Sequence, residues 1–295
     1  MAISLDHYLP PSRLTDPASE LRLMYQLFED AQRARIAHGE RLRAFLQGRS
    51  FDGAGESEGD IDGALKVIAN GEAVGAPRIL ERAYARAIDD QETLGLELRS
   101  LVEQHPAWGW LGQTKGIGHL LAARLLSRLD VQRARTPSAF WAYCGLSTIP
   151  GVAYRCTKCG LEVSYPSSYQ LKGTHTSRRG TKECVGQLHA INADVRVAPR
   201  RTIAGGRAGY DAHARKSCYL VGVSMLRCGS SYKSLYDDER ARLAVERSGW
   251  TPKRCHLSAL RKMEKAFLRD LWVAWRKAVN LPIVAPYFPR IEYQA

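Results

Sequence analysis

Cys156-Thr157-Lys158-Cys159 sets two thiols two residues apart. Paired thiolates at that spacing form a knuckle that grips one side of a tetrahedral metal ion, and a second pair of ligands closes the site. Cys184 follows Cys159 after 24 intervening residues, and His189 stands shortly beyond it. Cys156, Cys159, Cys184 and His189 are therefore taken as the ligands of a structural zinc ion, with His175 the competitor for the fourth place. No Glu stands beside a ligand in the pattern of hydrolytic or deaminating zinc sites, so no catalytic zinc is assigned. The remaining cysteines, Cys144, Cys218, Cys228 and Cys255, lie in apolar helical contexts and read as small core residues. Seven cysteines is an odd number, which argues against a disulfide framework.

A second constellation could hold phosphate. Residues 111–126, LGQTKGIGHLLAARLL, read as a helix end, a tight Gly116-Ile117-Gly118 turn and a second helix with Leu121, Ala122, Leu125 and Leu126 inward. In a helix-hairpin-helix of this kind, glycines let the backbone approach a phosphate and the N–H groups opening the next helix cradle it. Lys115 adds charge beside the turn. Around the cysteines, Lys158, Lys172, Arg178, Arg179, Lys182, Arg196, Arg200, Arg201, Arg207, Arg215 and Lys216 form a dense basic stretch. All of these except Arg196, with Lys115, Gly116 and Gly118, are taken as nucleic-acid-binding residues. Tyr154, Tyr165 and Tyr169 lie among them as candidates for base stacking.

The charge is divided unevenly. Residues 1–100 carry 12 Lys+Arg and 17 Asp+Glu, while residues 101–295 carry 31 and 13, a net of −5 against +18. An acidic front and a strongly basic remainder point to a polyanionic partner. No apolar run reaches the length of a membrane span. The opening MAISLDHYLPPSRL has no basic stretch leading into an apolar one, so a cytoplasmic location, in a prokaryote or a virus-infected host, is expected.

The elements that must position these residues are mainly helical. Asp16 and Pro17 open a helix with Leu21, Met24, Leu27, Phe28, Leu42, Phe45 and Leu46 on one face, and Gly48 closes it. A short helix covers about 61–70. Pro77 starts a long one reaching about His105, striped by Leu80, Tyr84, Ile88, Leu98, Leu101 and Val102. Two such helices predict a coiled-coil-like arm over 1–105. The helix-hairpin-helix part follows over 106–150, including a helix opened by Thr136 and Pro137. A small β zinc ribbon over 151–208 interrupts the domain, with strands near 152–155 and 161–165. A C-terminal helical part completes it over 209–295. There, 211–228 is expected to turn Tyr219, Leu220, Val223 and Leu226 inward. A charged helix spans about 231–247, and Thr251 and Pro252 open a last helix reaching about Asn280. Its apolar face holds Leu257, Leu260, Met263, Leu268, Leu271, Trp272 and Trp275, and Arg254, Arg261, Lys262 and Lys265 ride the other.

The landmarks ELRSLVEQHPAWGWLGQTKGIGHLLAARLLSRLD, TPSAFWAYCGLSTIP, YDAHARKSCYLVGVSMLR and KRCHLSALRKMEKAFLRDLWVAWR occur in that order. The order resembles the C-terminal domain of the bridge-RNA-guided DEDD transposases over about residues 90–287, interrupted by the cysteine-bearing insert. That domain is similar to the Nop domain of box C/D RNA–protein particles, which a coiled-coil arm also precedes. Standalone relatives without a nuclease occur among the TIGR-associated (Tas) RNA-guided systems. The resemblance implies a Nop-like, transposase-like domain that binds a structured guide RNA and target DNA, as a homodimer. Two departures matter. No strand presents the carboxylates of a ribonuclease-H-like nuclease. Where those transposases carry a serine nucleophile in a Ser-Gly-Gly-like stretch, this chain has Ala204-Gly205-Gly206, and alanine has no oxygen to attack a phosphodiester. Ser177 is the conceivable substitute, without a general base at a recognisable spacing. No catalytic residue is assigned. The alternatives are an RNA-guided transposase or recombinase acting through a serine or a partner nuclease, and an architectural DNA-binding protein.

Overall fold

The computed structural model describes residues 17–47, 58–72, 74–167, 175–176, 183–199 and 209–284. It is mainly helical with a small antiparallel sheet, and divides into two compact units, Met1–Gln113 with Ile117–Asp130, and Thr114–Gly116 with Val131–Ala295. The second helix of the expected hairpin thus groups with the N-terminal helices.

The first unit packs α1 (Pro17–Leu46) along α3 (Arg78–Gln104), with α2 (Glu58–Ala69), α4 (Trp108–Leu111) and α5 (His119–Leu126) beside them. Helical spacing explains the contact: Leu21, Tyr25, Phe28 and Leu42 are buried on α1, and Tyr84, Ala87, Leu98 and Val102 on α3. Leu27 and Phe45, expected inward, are exposed; the aromatic ring of Tyr25 takes the inward place on that turn. Polar contacts tie α1 to α5. Arg22 donates to the Ser127 carbonyl at 3.0 Å, and Glu29 faces Arg124 at 3.6 Å and Arg128 at 3.9 Å. Burial pushes the Tyr25 phenol, which donates to Glu29, up to about 12.

The second unit is built on α9 (Pro252–Ala278), which packs against α6 (Pro137–Tyr143), α7 (Ala212–Cys228) and α8 (Lys233–Glu246). The cap expected at Thr251 forms, its hydroxyl accepting from the Arg254 N–H at 3.3 Å, whereas Thr136, also expected to cap, opens α6 without a side-chain hydrogen bond. At α7 the Asp211 carboxylate, not singled out in the sequence, accepts from the Ala214 N–H at 2.6 Å. Leu260, Met263, Leu268, Leu271, Trp272 and Trp275 are buried as expected, but Leu257 is exposed. The inward face of α7 is Ala214, Ser217, Cys218, Val221, Gly222 and Met225, not Tyr219, Leu220, Val223 and Leu226. Small side chains let this helix approach closely, so the largest apolar residues do not mark its buried side. Cys144, Cys218 and Cys255 are buried as expected, and Cys228 is exposed at the end of α7. Between α6 and α7 lies the sheet, in the order β2 (Glu162–Pro166), β1 (Ile149–Cys156), β5 (Leu188–Val197), together with a separate pair, β3 (His175–Thr176) and β4 (Glu183–Cys184).

Gly116 shows what the GIG turn requires. Its φ is +95°, and a Cβ there would lie 3.1 Å from both the Met225 Cα and the Ser224 carbonyl oxygen on α7. The Ser224 hydroxyl donates to the Gly116 carbonyl at 2.7 Å. Gly118 has open space around it. Gly116→Ala is therefore expected to destabilise the protein by about 3 kcal/mol, combining left-handed strain with overpacking. Gly118→Ala should cost about 1 kcal/mol or less. Urea unfolding of the two variants measures the difference.

Candidate metal centre and basic surface

Four potential ligand atoms, from Cys156, Cys159, His175 and Cys184, lie within 4.8 Å of one another and could hold a metal ion. The local backbone explains how. Cys156 ends β1, and the turn after it folds back so that the Lys158 and Cys159 N–H groups donate to the Cys156 sulfur at 3.3 and 3.4 Å. Cys184 repeats the device, accepting from the Gly186 N–H at 3.4 Å. A Cβ on Gly186 would come within 2.6 Å of the Cys156 sulfur, so only glycine lets the second turn close on the first. The pairing of β3 with β4 sets His175 opposite Cys184.

The separations suit a tetrahedron. The Cys156 and Cys184 sulfurs are 3.8 Å apart, and the Cys159 sulfur is 3.4 Å from His175 Nε2. Thiolates about 2.3 Å from a common tetrahedral centre would stand about 3.8 Å from each other. On Cys184, the Gly186 N–H pulls the thiol pKa down, but desolvation and the thiols of Cys159 and Cys156 outweigh it and leave it raised. Crowded thiols resist ionising together, and a divalent cation removes that resistance.

His175, rather than His189, completes the group. In the sheet His189 pairs with Arg155, and Leu188 pairs with Cys156. Cross-strand partners share a face and successive residues alternate, so His189 points with Arg155 to the side away from the Cys156 thiol. Proximity in sequence to Cys184 favoured the wrong histidine. The strand β5 that carries His189 was itself not anticipated, because its inward–outward alternation is weak and nearly all of it is exposed.

Tyr154 and Tyr165 come together on one face of the sheet, with ring centroids 6.2 Å apart at 49°. Lys158 and Lys216 are exposed, and Arg215 is half-buried. Arg155 is spent on Glu162, and Arg196 donates to the Thr148 carbonyl at 2.5 Å. At the hairpin, Lys115 and Gly118 are exposed, no side chain caps α5 at Gly118, and His119 Nε2 lies 2.9 Å from the Glu103 carboxylate. Lys172, Arg178, Arg179, Lys182, Arg200, Arg201 and Arg207 lie outside the described residues, as do Tyr169, Ser177 and Ala204-Gly205-Gly206.

Among known proteins, no family model, curated sequence or solved structure matches this chain. The site is thus argued from its own geometry. No described helix is long and apolar enough to cross a membrane.

The histidine assignment is directly testable. Purified protein is expected to carry about one metal ion per chain, in line with a closed four-ligand site. His175→Ala or Cys184→Ser should lower that stoichiometry severalfold, and His189→Ala should leave it intact, as read by elemental mass spectrometry.

Proposed function

We propose that this protein is the RNA-binding component of an RNA-guided ribonucleoprotein, holding a structured guide RNA and engaging target DNA without cutting it. The observation that carries this reading is the Tyr154–Tyr165 pair, two half-buried aromatic rings on one face of a sheet whose turn presents the exposed Lys158. It belongs to the part of the chain, residues 101–295, whose net charge is +18. Aromatic rings give unpaired bases a stacking surface, and cations hold the backbone between them. Base pairing with the guide would supply sequence specificity, and the protein would grip shape and phosphate.

In this reading the Cys156–Cys159–His175–Cys184 group holds a structural zinc ion. The first two cysteines and their N–H···S bonds form the knuckle, and zinc supplies the fixed tetrahedral geometry. The GIG turn serves as a helix-hairpin-helix contact through Lys115 and the uncapped start of α5. The arm of α1 and α3 mediates homodimerisation as a coiled coil; exposed Leu23 and Leu27 on α1 and Leu96 on α3 support that role. The Nop-like, transposase-like resemblance favours the same assembly.

Protein purified at moderate salt from cells carrying its own genomic neighbourhood is expected to retain a discrete short RNA, identified by sequencing with RNase and DNase controls. Recovery of random DNA fragments alone would replace this reading with an architectural DNA-binding one. Tyr154→Ala with Tyr165→Ala should weaken binding of that RNA by about tenfold to a hundredfold, the worth of about one stacked base, without lowering the metal content.

A further inference from the structure

Burying an ionisable group is costly unless it is paired or gives up its charge. On α9, Glu264 is only 5% exposed. Its carboxyl lies against α7: a Cβ on Gly222 would stand 3.0 Å from Glu264 Oε1 and 2.9 Å from the Leu260 side chain. Among the described residues, neither Glu264 nor Arg261 makes a hydrogen bond or an ion pair. Burial drives the Glu264 pKa up to about 8, although Arg261 and Arg215 both pull it down.

The groups around it are cationic. Arg215 on α7 rests over the Tyr210 ring, 5.0 Å from its centroid, and donates to the Pro199 carbonyl at 3.1 Å. Arg261 stands three residues before Glu264 on α9, its pKa lowered by burial and then by Arg215, with Glu264 opposing them in part. Lys265, the residue after Glu264 on α9, instead lies 4.4 Å over the Trp141 ring of α6. The other titratable groups facing Glu264 are thiols: Cys218 on α7 is held well above its usual range by its hydrogen bond with Cys144, then by burial. The group thus brings together two guanidinium groups, two thiols and a carboxyl that burial holds toward its protonated form. Cations that depress one another's pKa are assembled at a cost, and an anion among them removes it.

We infer that Arg215 and Arg261, beside the Glu264 carboxyl where α7 meets α9, form a site for one phosphodiester group of the bound nucleic-acid strand. This rests on the nucleic-acid-binding reading above and names where the backbone is held. The guanidinium groups offer forked N–H donors to phosphate oxygens. The protonated Glu264 carboxyl can donate one more hydrogen bond. When Glu264 ionises, it places a negative charge beside the phosphate and loses its donor. Affinity should thus be held below the Glu264 pKa and fall as pH rises through it.

Fluorescence anisotropy with a labelled single-stranded RNA, and with DNA of the same sequence, tests this over about 50 to 200 mM salt. Arg261→Gln is expected to weaken binding about tenfold and to reduce the salt slope by about one. Wild-type affinity should fall several-fold between about pH 7 and pH 9, across the range where a carboxyl of pKa near 8 titrates. Glu264→Gln should keep at the higher pH most of the affinity it has at the lower one. The site is overturned if wild type binds and Arg261→Gln matches it in affinity and slope, or if Glu264→Gln falls with pH as steeply as wild type. The pH series on wild type and Glu264→Gln decides the matter even if Arg261→Gln does not fold. Failure of the wild type to bind either strand would instead refute the proposed function.

Discussion

A sheet without an apolar core has to be held by something else, and that constraint governs the insert between α6 and α7. Among the described residues from 149 to 197, the buried apolar side chains are Cys156, Cys184 and Pro166. Tyr154, Tyr165, Val152 and Val163 are half-buried, and most of β5 is exposed. Backbone pairing alone rarely keeps so small a sheet in one register. The two turns that end at Cys156 and Cys184 meet through Gly186, and the same turns aim N–H groups at both sulfurs. Hydrogen bonds from the backbone orient the thiols within these turns, and an ion held there would fix the two turns to each other. With rigidity supplied at one corner, the rest of the sheet is released from making a core and can expose aromatic and basic side chains.

The helical part follows the opposite rule, and the contrast isolates Glu264. Other buried charges on α9 are satisfied. Arg276 donates to the carbonyls of Val131, Ala134 and Pro282 and stacks over Trp272, whose own indole N–H donates to Ala134. Arg269 pairs with Asp270, which also accepts from the Tyr232 hydroxyl. Half-exposed charges pair too, with Glu239 taking both Arg242 and Lys262. Among the described residues, Glu264 and Arg261, on the side facing α7, make no such pairs. A largely buried carboxyl without an ion pair is a candidate for a functional role.

Helix starts were readable because their chemistry is local. Thr251-Pro252 announces a cap that needs only neighbouring residues, and it forms; Thr136-Pro137 marks a helix start correctly although its hydroxyl makes no cap. The knuckle at Cys156 and Cys159 is local in the same sense. The fourth ligand was not, because His175 reaches the cysteines only through the pairing of β3 with β4. The inward face of α7 was misread for a related reason. Apolar size marks a buried face when helices pack at ordinary distance, but Ser217, Cys218 and Gly222 allow a closer approach, which no periodicity reveals. Glu264 was hidden altogether. In the sequence it is one more charge in a helix rich in them, and only the juxtaposition with Gly222 makes it unusual.

Net charge on its own overstates what a polyanion can meet. Arg124 and Arg128 face Glu29, Arg99 pairs with Glu103, and Arg155 with Glu162. Cations engaged in this way release little when a phosphate approaches, since an existing carboxylate contact must be given up first. Lys115, Lys158, Lys216 and Arg261 have no ion pair among the described residues. Of these, three are exposed lysines, which hold their charge on mobile stems in water and suit long-range attraction. Arg261 is different in kind, half-buried beside a second guanidinium that, together with burial, lowers its pKa. Exposed lysines would draw a strand in from a distance, whereas a phosphate among desolvated guanidinium groups would be fixed in register. In the proposed ribonucleoprotein, where a guide would read sequence, both would be needed, because guide and target would have to be captured quickly and then held in one position for pairing to be tested.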